Sequence, residues 1–314
     1  MIKASVNVIP ECPLSEIVEI AIEAELLGFS RCWVYDEGLA TRDVYIVMAA
    51  IAMATEKIQI GPGITNPYTR HPGQTAAAIA TLDELSNGRA FLGIGAGGSL
   101  TLNPLAIERE KPLGAVRNTI EIARKLFSGN KVSHQGPIAS LKSAKISYAR
   151  PSIEIWLAGR GPRMLALGGA EADGVMLDFI YKPQLKEYVQ RVRDHGKAKI
   201  CYSTAIVTDK EDLEFVRPHM TYRLVDAPES VKEAIGITEE EIATIKEAMS
   251  NGLEAAAKHV RDEWIQPFII QGSIQECQEE IKQLCASNDI DEFLVPMFDM
   301  ADQSSYLKQI SKIF

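Results

Sequence analysis

Asp36 and Glu37 stand side by side where a short β-rich run, 31–36, comes to its end. Adjacent carboxylates at such a place can hold a proton or hand one over, and they equally read as a solvated loop pair. Further on, Gly61-Pro62-Gly63-Ile64-Thr65-Asn66-Pro67 sets two glycines and two prolines within one turn-length of chain. That composition serves a tight turn, and it also bares backbone to a flat ligand. A third segment, Ala158-Gly159-Arg160-Gly161-Pro162-Arg163, joins an apolar run to a helical one, with Pro162 suited to the first helical turn. Free N–H groups and the positive dipole end make such a helix start a phosphate site, and Arg160 or Arg163 would add charge. An ordinary turn with surface arginines is the alternative there.

Gly93-Ile94-Gly95-Ala96-Gly97-Gly98 formally satisfies G-x-G-x-x-G. A dinucleotide fingerprint, however, follows the first strand of its unit, opens directly into a helix and is followed by an acid about 20 residues on. Here the segment follows a fourth strand, and Glu108 and Glu110 lie in a polar stretch before a helix. Ser99 stands where a P-loop needs Lys, and Thr101 where a nucleophile elbow needs Gly. The glycines remain suited to a flat ring lying close to the backbone. His71, His134, His195, His219 and His259 are scattered, and Cys12, Cys32, Cys201, Cys277 and Cys285 form no C-x-x-C pair. No metal centre or disulfide framework is expected from them.

The elements that must carry these segments alternate in period along the chain. Strand-like runs at 4–9, 31–36, 57–63, 89–95, 153–159, 174–178, 198–207 and 292–296 are each followed by a segment of helical period. A polar stretch, 128–150, has room for a small hairpin, and a helix-rich section, 221–287, reads as an insertion covering one mouth. Eight βα alternations predict an α/β fold, a (β/α)8 TIM barrel with insertions formed by one domain over 1–314, with an open doubly wound sheet as the competing architecture. In such a barrel ligands bind at the C-terminal ends of the strands, which is where Asp36, Gly63, Gly95 and Gly159 fall.

An apolar share of 46% and a charged share of 24% are enough to fill one large core. The net charge of -9 argues against nucleic acid and anionic membrane surfaces as partners. The start Met1-Ile2-Lys3-Ala4-Ser5 lacks a secretory pattern, and no run reaches the ~18 apolar residues of a membrane span, so a cytoplasmic protein is expected.

Gly61-Pro62-Gly63-Ile64-Thr65-Asn66-Pro67-Tyr68, Ala80-Thr81-Leu82-Asp83-Glu84-Leu85-Ser86-Asn87-Gly88-Arg89 and Leu92-Gly93-Ile94-Gly95-Ala96-Gly97 together resemble the bacterial luciferase-like family. Within it they are most similar to the F420-dependent 5,10-methylenetetrahydromethanopterin reductases. The likeness is dense over 28–178 and includes Asn103-Pro104-Leu105-Ala106-Ile107-Glu108-Arg109 and Ala158-Gly159-Arg160-Gly161-Pro162.

The resemblance implies an oxidoreductase that passes hydride between the deazaflavin F420 and a small-molecule substrate, assembled as a homodimer or higher homo-oligomer. It implies a cis peptide at Gly63-Ile64 whose bulge backs the cofactor ring. Asp36, Thr65 and Asn66 would face that ring, Gly95, Ala96 and Gly97 would line it, and Ala158, Gly159, Arg160, Gly161 and Pro162 would take its phosphate. Asp36 or Glu37 would handle the proton. Two departures stand out: a first-strand glutamate of those reductases is Asn7 here, and the Asp-His pair after their second strand is Asp36-Glu37. An amide cannot relay a proton as a carboxylic acid can. An FMN-dependent monooxygenase of the luciferase type and a non-catalytic flavin-binding paralogue are the competing readings.

Overall fold

Eight short parallel strands form one sheet: β1 (Lys3–Val8), β2 (Arg31–Val34), β3 (Gln59–Pro62), β4 (Phe91–Ile94), β5 (Glu154–Ala158), β6 (Gly174–Asp178), β7 (Lys199–Ser203) and β8 (Glu292–Met297). They are ordered β3-β2-β1-β8-β7-β6-β5-β4. The open edges, β3 and β4, meet through the parallel bridges Ile60↔Ala90 and Thr65↔Ile94, which close the sheet into a barrel. The computed structural model describes residues 2–298 and 302–314; Met1, where the reading of the N-terminus begins, lies outside them.

Strand side chains alternate between the two faces of a barrel wall. Here Cys32, Val34, Ile155, Leu157, Val175, Leu177, Phe293 and Val295 pack outward against the helices, while Trp33, Phe91, Trp156, Met176, Cys201 and Leu294 fill the inside. The indole of Trp33 meets Phe91 and Trp156 edge-on, with ring centroids 4.4 and 5.6 Å away. Such aromatic volume in so narrow a space requires bare backbone opposite it. A Cβ on Gly61 would fall 2.4 Å from Phe91 O, and one on Gly93 2.1 Å from Pro62 O. Gly93 of the glycine-rich segment therefore serves barrel closure.

At the N-terminal end the inside turns ionic. Arg31 bonds Glu154 at 2.7 Å, lies 3.4 Å from Glu292, and has its guanidinium 4.4 Å above Trp156.

The outer layer comprises α1 (Leu14–Leu26), α2 (Val44–Ala54), α3 (Pro72–Leu85), α4 (Pro112–Phe127), α5 (Pro162–Glu171), α6 (Leu185–Arg193), α7 (Ile274–Asn288) and α8 (Gln303–Ser311). Their starts follow local chemistry. Asp43 caps α2 through the N–H groups of Tyr45 and Ile46, Pro72 begins α3, and Ser273 and Glu276 close a capping box on α7.

Residues 128–150 hold the small antiparallel hairpin that their polarity allowed, Val132–His134 with Leu141–Ala144. The run at 198–207 is not one strand. The barrel strand ends at Ser203, Thr204 Oγ1 bonds Phe268 O at 2.5 Å, and Ile206–Val207 pairs in parallel with Ile270–Gln271 outside the barrel. Both halves are apolar because both are buried, so composition alone runs them together. Residues 221–287 fall into three parts. The first completes the helix Lys210–Val225, the middle packs in a second apolar cluster that joins Trp264 and Phe268 to Ile9, Phe179 and Phe298 at the end of the barrel, and the last is α7, whose Cys277, Ile281 and Cys285 belong to the barrel layer.

Candidate active site

A cleft of about 410 Å³ opens at the C-terminal ends of the strands. The inward register delivers its floor: Asn7 from β1, Gly63 after β3, Ala158 closing β5 and Asp178 closing β6. Asp36, Glu37, Ile64, Asn66, Ala96, Gly97, Gly159 and Arg160 line the same space, so the carboxylate pair and the three glycine segments singled out by residue type converge although they lie far apart in sequence.

Among them Asn7 is deeply buried, at 1% exposure. Its Nδ2 donates to Gly63 O at 2.9 Å, and its Oδ1 has no partner among the described residues. The following peptide, Gly63-Ile64, is cis. The Ile64 side chain rests where a Cβ on Gly95 would stand, 2.1 Å from its Cδ1, so Gly95 is the close approach that lets this wall pack. Thr65 is buried behind the wall, with its N–H on Gly93 O at 3.1 Å and its carbonyl accepting from Gly95 N at 3.0 Å. Asn66 uses its Oδ1 locally, accepting from the N–H groups of Tyr68 and Thr69 at 2.9 and 3.0 Å. Gly97 takes a left-handed φ of 75°, which suits glycine, and Arg109 Nη1 fixes its carbonyl at 2.9 Å.

The two carboxylates differ in their surroundings. Asp36 Oδ2 accepts from the Thr65 hydroxyl at 2.6 Å; burial raises its pKa, and that hydroxyl and the Gly38 N–H oppose the rise. Glu37 Oε2 accepts from Thr101 Oγ1 at 2.9 Å. Its pKa is raised by burial against the pull of Thr101 and Arg223. Glu37 is thus a carboxyl group that retains its proton more readily than an exposed one, beside a cleft.

Gly161 is the N-cap of α5, with no side-chain cap on the helix and Pro162 in its first turn. Met164 and Leu165 N–H bond Gly161 O at 2.9 and 3.0 Å and Pro162 has no N–H, so the N–H groups of Gly161 and Arg163 are left for another acceptor, and a Cβ on Gly161 would meet open space. Arg160 lies 3.7 Å from Asp178 and leans along the cleft rather than outward.

Several lining residues carry no signal that the sequence reading used. Asp178 accepts from Ser203 Oγ at 2.9 Å and from Arg223 Nη2 at 3.2 Å. It sits two residues after the inward Met176, so the period of β6 marks it as facing the mouth. Tyr222 and Arg223 arrive from the end of Lys210–Val225, where nothing in helical spacing distinguishes them. Tyr35 simply continues β2.

The profile of a family described as luciferase-like monooxygenase matches residues 3–288. The 5,10-methylenetetrahydromethanopterin reductase of Archaeoglobus fulgidus is 32% identical over 299 residues, 90% of each chain. An F420-dependent glucose-6-phosphate dehydrogenase of Amycolatopsis mediterranei is 34% identical over 175 residues, 51% of this chain and 52% of that protein. Among solved structures, the coenzyme F420-dependent tetrahydromethanopterin reductase of Methanopyrus kandleri superposes with a TM-score of 0.89 at 25% identity, covering 99% of this chain and 97% of that one.

Proposed function

The chain belongs to the luciferase-like monooxygenase family, and from that premise we propose that it is an F420-dependent oxidoreductase acting on a small organic substrate, of the methylenetetrahydromethanopterin reductase type. The observation that carries the reading is the cleft itself: a glycine-lined space with a carboxyl group whose pKa burial raises, and with Gly159 and Arg160 leading from it into an uncapped helix start. The near-full-length reductase relative and the F420-dependent solved structure favour the deazaflavin over FMN.

The residues present fit such a group. Gly63, Ile64, Ala96 and Gly97 offer a flat face, the backbone N–H groups of Gly159 and of the adjoining Gly161 with the Arg160 guanidinium offer donors and charge to a phosphate, and Asn7 Oδ1 is a buried acceptor without a partner among the described residues. When bound, F420 supplies the two-electron hydride chemistry. The protein's share is binding, orientation and proton management. Asn7 anchors the carbonyl of Gly63, and Thr65 holds Asp36 against the same wall. Asp36, which accepts from both a hydroxyl and a backbone N–H, positions; Glu37, with one hydroxyl donor and the open cleft beside it, holds the proton that the substrate side needs. That role falls to Glu37 because the residue at position 7 is an amide.

We also place the protein in the cytoplasm and assign it a homo-oligomeric state. No helix among the described residues is long and apolar enough to cross a membrane. The helix α2 has no charged residue in its eleven positions and exposes Ile46 and Met53, 64% and 72% accessible, at a spacing that puts both on one face.

Titration of the purified protein with F420 and with FMN, followed by fluorescence, tests the cofactor; reduced F420 with methylenetetrahydromethanopterin, followed by absorbance, tests the reaction. Tight FMN binding with none for F420 would replace the reading by a flavin monooxygenase. F420 binding without hydride transfer to this substrate or to other imines and carbonyls would leave a cofactor-binding paralogue. Asp36→Ala should weaken F420 binding or turnover, and unchanged values would remove Asp36 from the site.

A further inference from the structure

The cleft is also lined by two phenols, Tyr35 and Tyr222. Tyr222 is held from behind by Arg223, a residue only 4% exposed. Arg223 Nη2 reaches Asp178 Oδ2 at 3.2 Å, and Nη1 donates to His219 O at 2.6 Å and to the Tyr222 hydroxyl oxygen. The guanidinium carbon lies 4.0 Å from the centroid of the Phe179 ring and 4.7 Å from that of Tyr222, so packing and ion pairing fix it together.

A guanidinium has donors and no acceptor. Since Arg223 donates into the Tyr222 oxygen, the phenol's own hydrogen must be directed away from Arg223. Among the described residues none accepts it, and Tyr222 lines the cleft. The Tyr35 hydroxyl likewise has no hydrogen-bond partner among the described residues. Buried pockets that present unused donors select for acceptors, because a ligand without one leaves the donor unpaired.

We propose that Tyr222, oriented by Arg223 and Asp178, donates its phenol hydrogen to a neutral carbonyl or lactam oxygen of the substrate, with Tyr35 as a second donor beside it. The choice of a neutral acceptor follows from charge. Asp178 already takes the Arg223 cation, and its carboxylate would repel a carboxylate or phosphate placed at the phenols. Burial raises the pKa of both tyrosines and keeps them as donors over the working pH range. Tyr222 is then a specificity-determining residue: it reads an acceptor on the substrate, while the glycine wall is left to the cofactor. The assignment rests on the proposed function for its substrate class, since a pterin carries such a lactam oxygen.

The test uses two small probes, 6-methyltetrahydropterin, which has the lactam oxygen, and its 2,4-diamino counterpart, which has an amino donor in that place. Calorimetric titration is made on wild type and Tyr222→Phe, each with and without F420. Wild type should prefer the lactam probe by about tenfold. Tyr222→Phe, which keeps the ring under Arg223, should lose about three- to tenfold in lactam affinity, the effect of one hydrogen bond between neutral groups, and should lose most of the preference. Its F420 affinity should match wild type, which also reports a correctly folded cleft. Equal binding of the two probes by wild type, no binding of the lactam probe, or an unaltered preference in Tyr222→Phe would each overturn the proposal. Failure of wild type to bind F420 would instead remove the cofactor reading, and the titrations without F420 would still decide the phenol site.

Discussion

Glu37 and Asp36 are neighbours in sequence with different prospects in the cleft, and the difference lies in what touches each. Asp36 is engaged by Thr65 and Gly38, whereas Glu37 has one hydroxyl and faces Asp178 and Arg223. Glu37→Gln should therefore lower turnover by about 10²-fold or more, while F420 affinity changes only a few-fold. Steady-state kinetics beside fluorescence titration would check this, and an equal loss in both would make Glu37 a binding residue.

Its raised pKa has a second consequence with a definite sign. The folded state binds this proton more tightly than the unfolded chain does. The associated stability is fully present below the ordinary carboxylate pKa of ~4.3 and is lost as pH rises through the folded value. Glu37→Gln should then be more stable than wild type at pH 7, with the gain vanishing near pH 4 in denaturant titrations. The carboxylate pair was legible as residue types. That burial raises the pKa of both was not, because the burial and the Thr65 and Thr101 contacts are made by distant segments.

At the scale of elements, the helix Lys210–Val225 decides what the open side of the cleft looks like. Its period was readable, and its apolar residues Leu213, Val216, Met220 and Leu224 are buried as that period implies. Its contribution to the site was not readable, since Tyr222 and Arg223 become functional only where the helix end meets β6. The helix is also tied down by His219, whose ring stacks on Phe298 at 4.1 Å, with planes 17° apart.

Burial and the Arg223 charge push the pKa of His219 down to about 3, so the ring is neutral in the fold. A depressed histidine contributes stability above the unfolded pKa of ~6.5 and loses it as pH falls toward the folded value, with a slope of up to about 1.4 kcal/mol per pH unit. His219→Phe, which preserves the stack, should flatten the fall in stability between pH 6.5 and 4; an unchanged slope in urea melts would show that His219 is protonated without penalty. The strand run at 198–207 teaches a related point. An unbroken apolar pattern marks burial along the whole run, and the break at Thr204 depends on a hydrogen bond to Phe268, far along the chain.

For the molecule as a whole, closure of the barrel rests on bare backbone between β3 and β4. Gly93→Ala would place a Cβ 2.1 Å from the carbonyl oxygen of Pro62, which is backbone and cannot swing aside. A loss of more than about 2 kcal/mol is expected in chemical denaturation, and a loss under about 0.5 kcal/mol would mean that the β3–β4 seam is not tightly packed. On the outside, the uncharged α2 face should be covered by a second copy of the chain. Ile46→Glu should shift the mass measured by light scattering toward the monomer, and a wild-type protein already monomeric at micromolar concentration would remove that assignment.

The sequence by itself determined the βα alternation and the three glycine segments that bound the cleft, and it favoured a parallel barrel over an open sheet, a choice that the β3–β4 bridges decided. These follow from local causes: period, turn chemistry and the steric demands of glycine and proline, all carried within a few residues. It also placed Asp36 and Glu37 at a strand end, where barrels keep their chemistry. Only the tertiary structure decided that Gly93 serves closure while Gly97 faces the cleft, that Asn7 anchors the carbonyl of Gly63, and that Asp178, Tyr222 and Arg223 line the same cleft. Those outcomes depend on which segments the closed barrel brings within a hydrogen bond of one another, and no spacing along the chain encodes that distance.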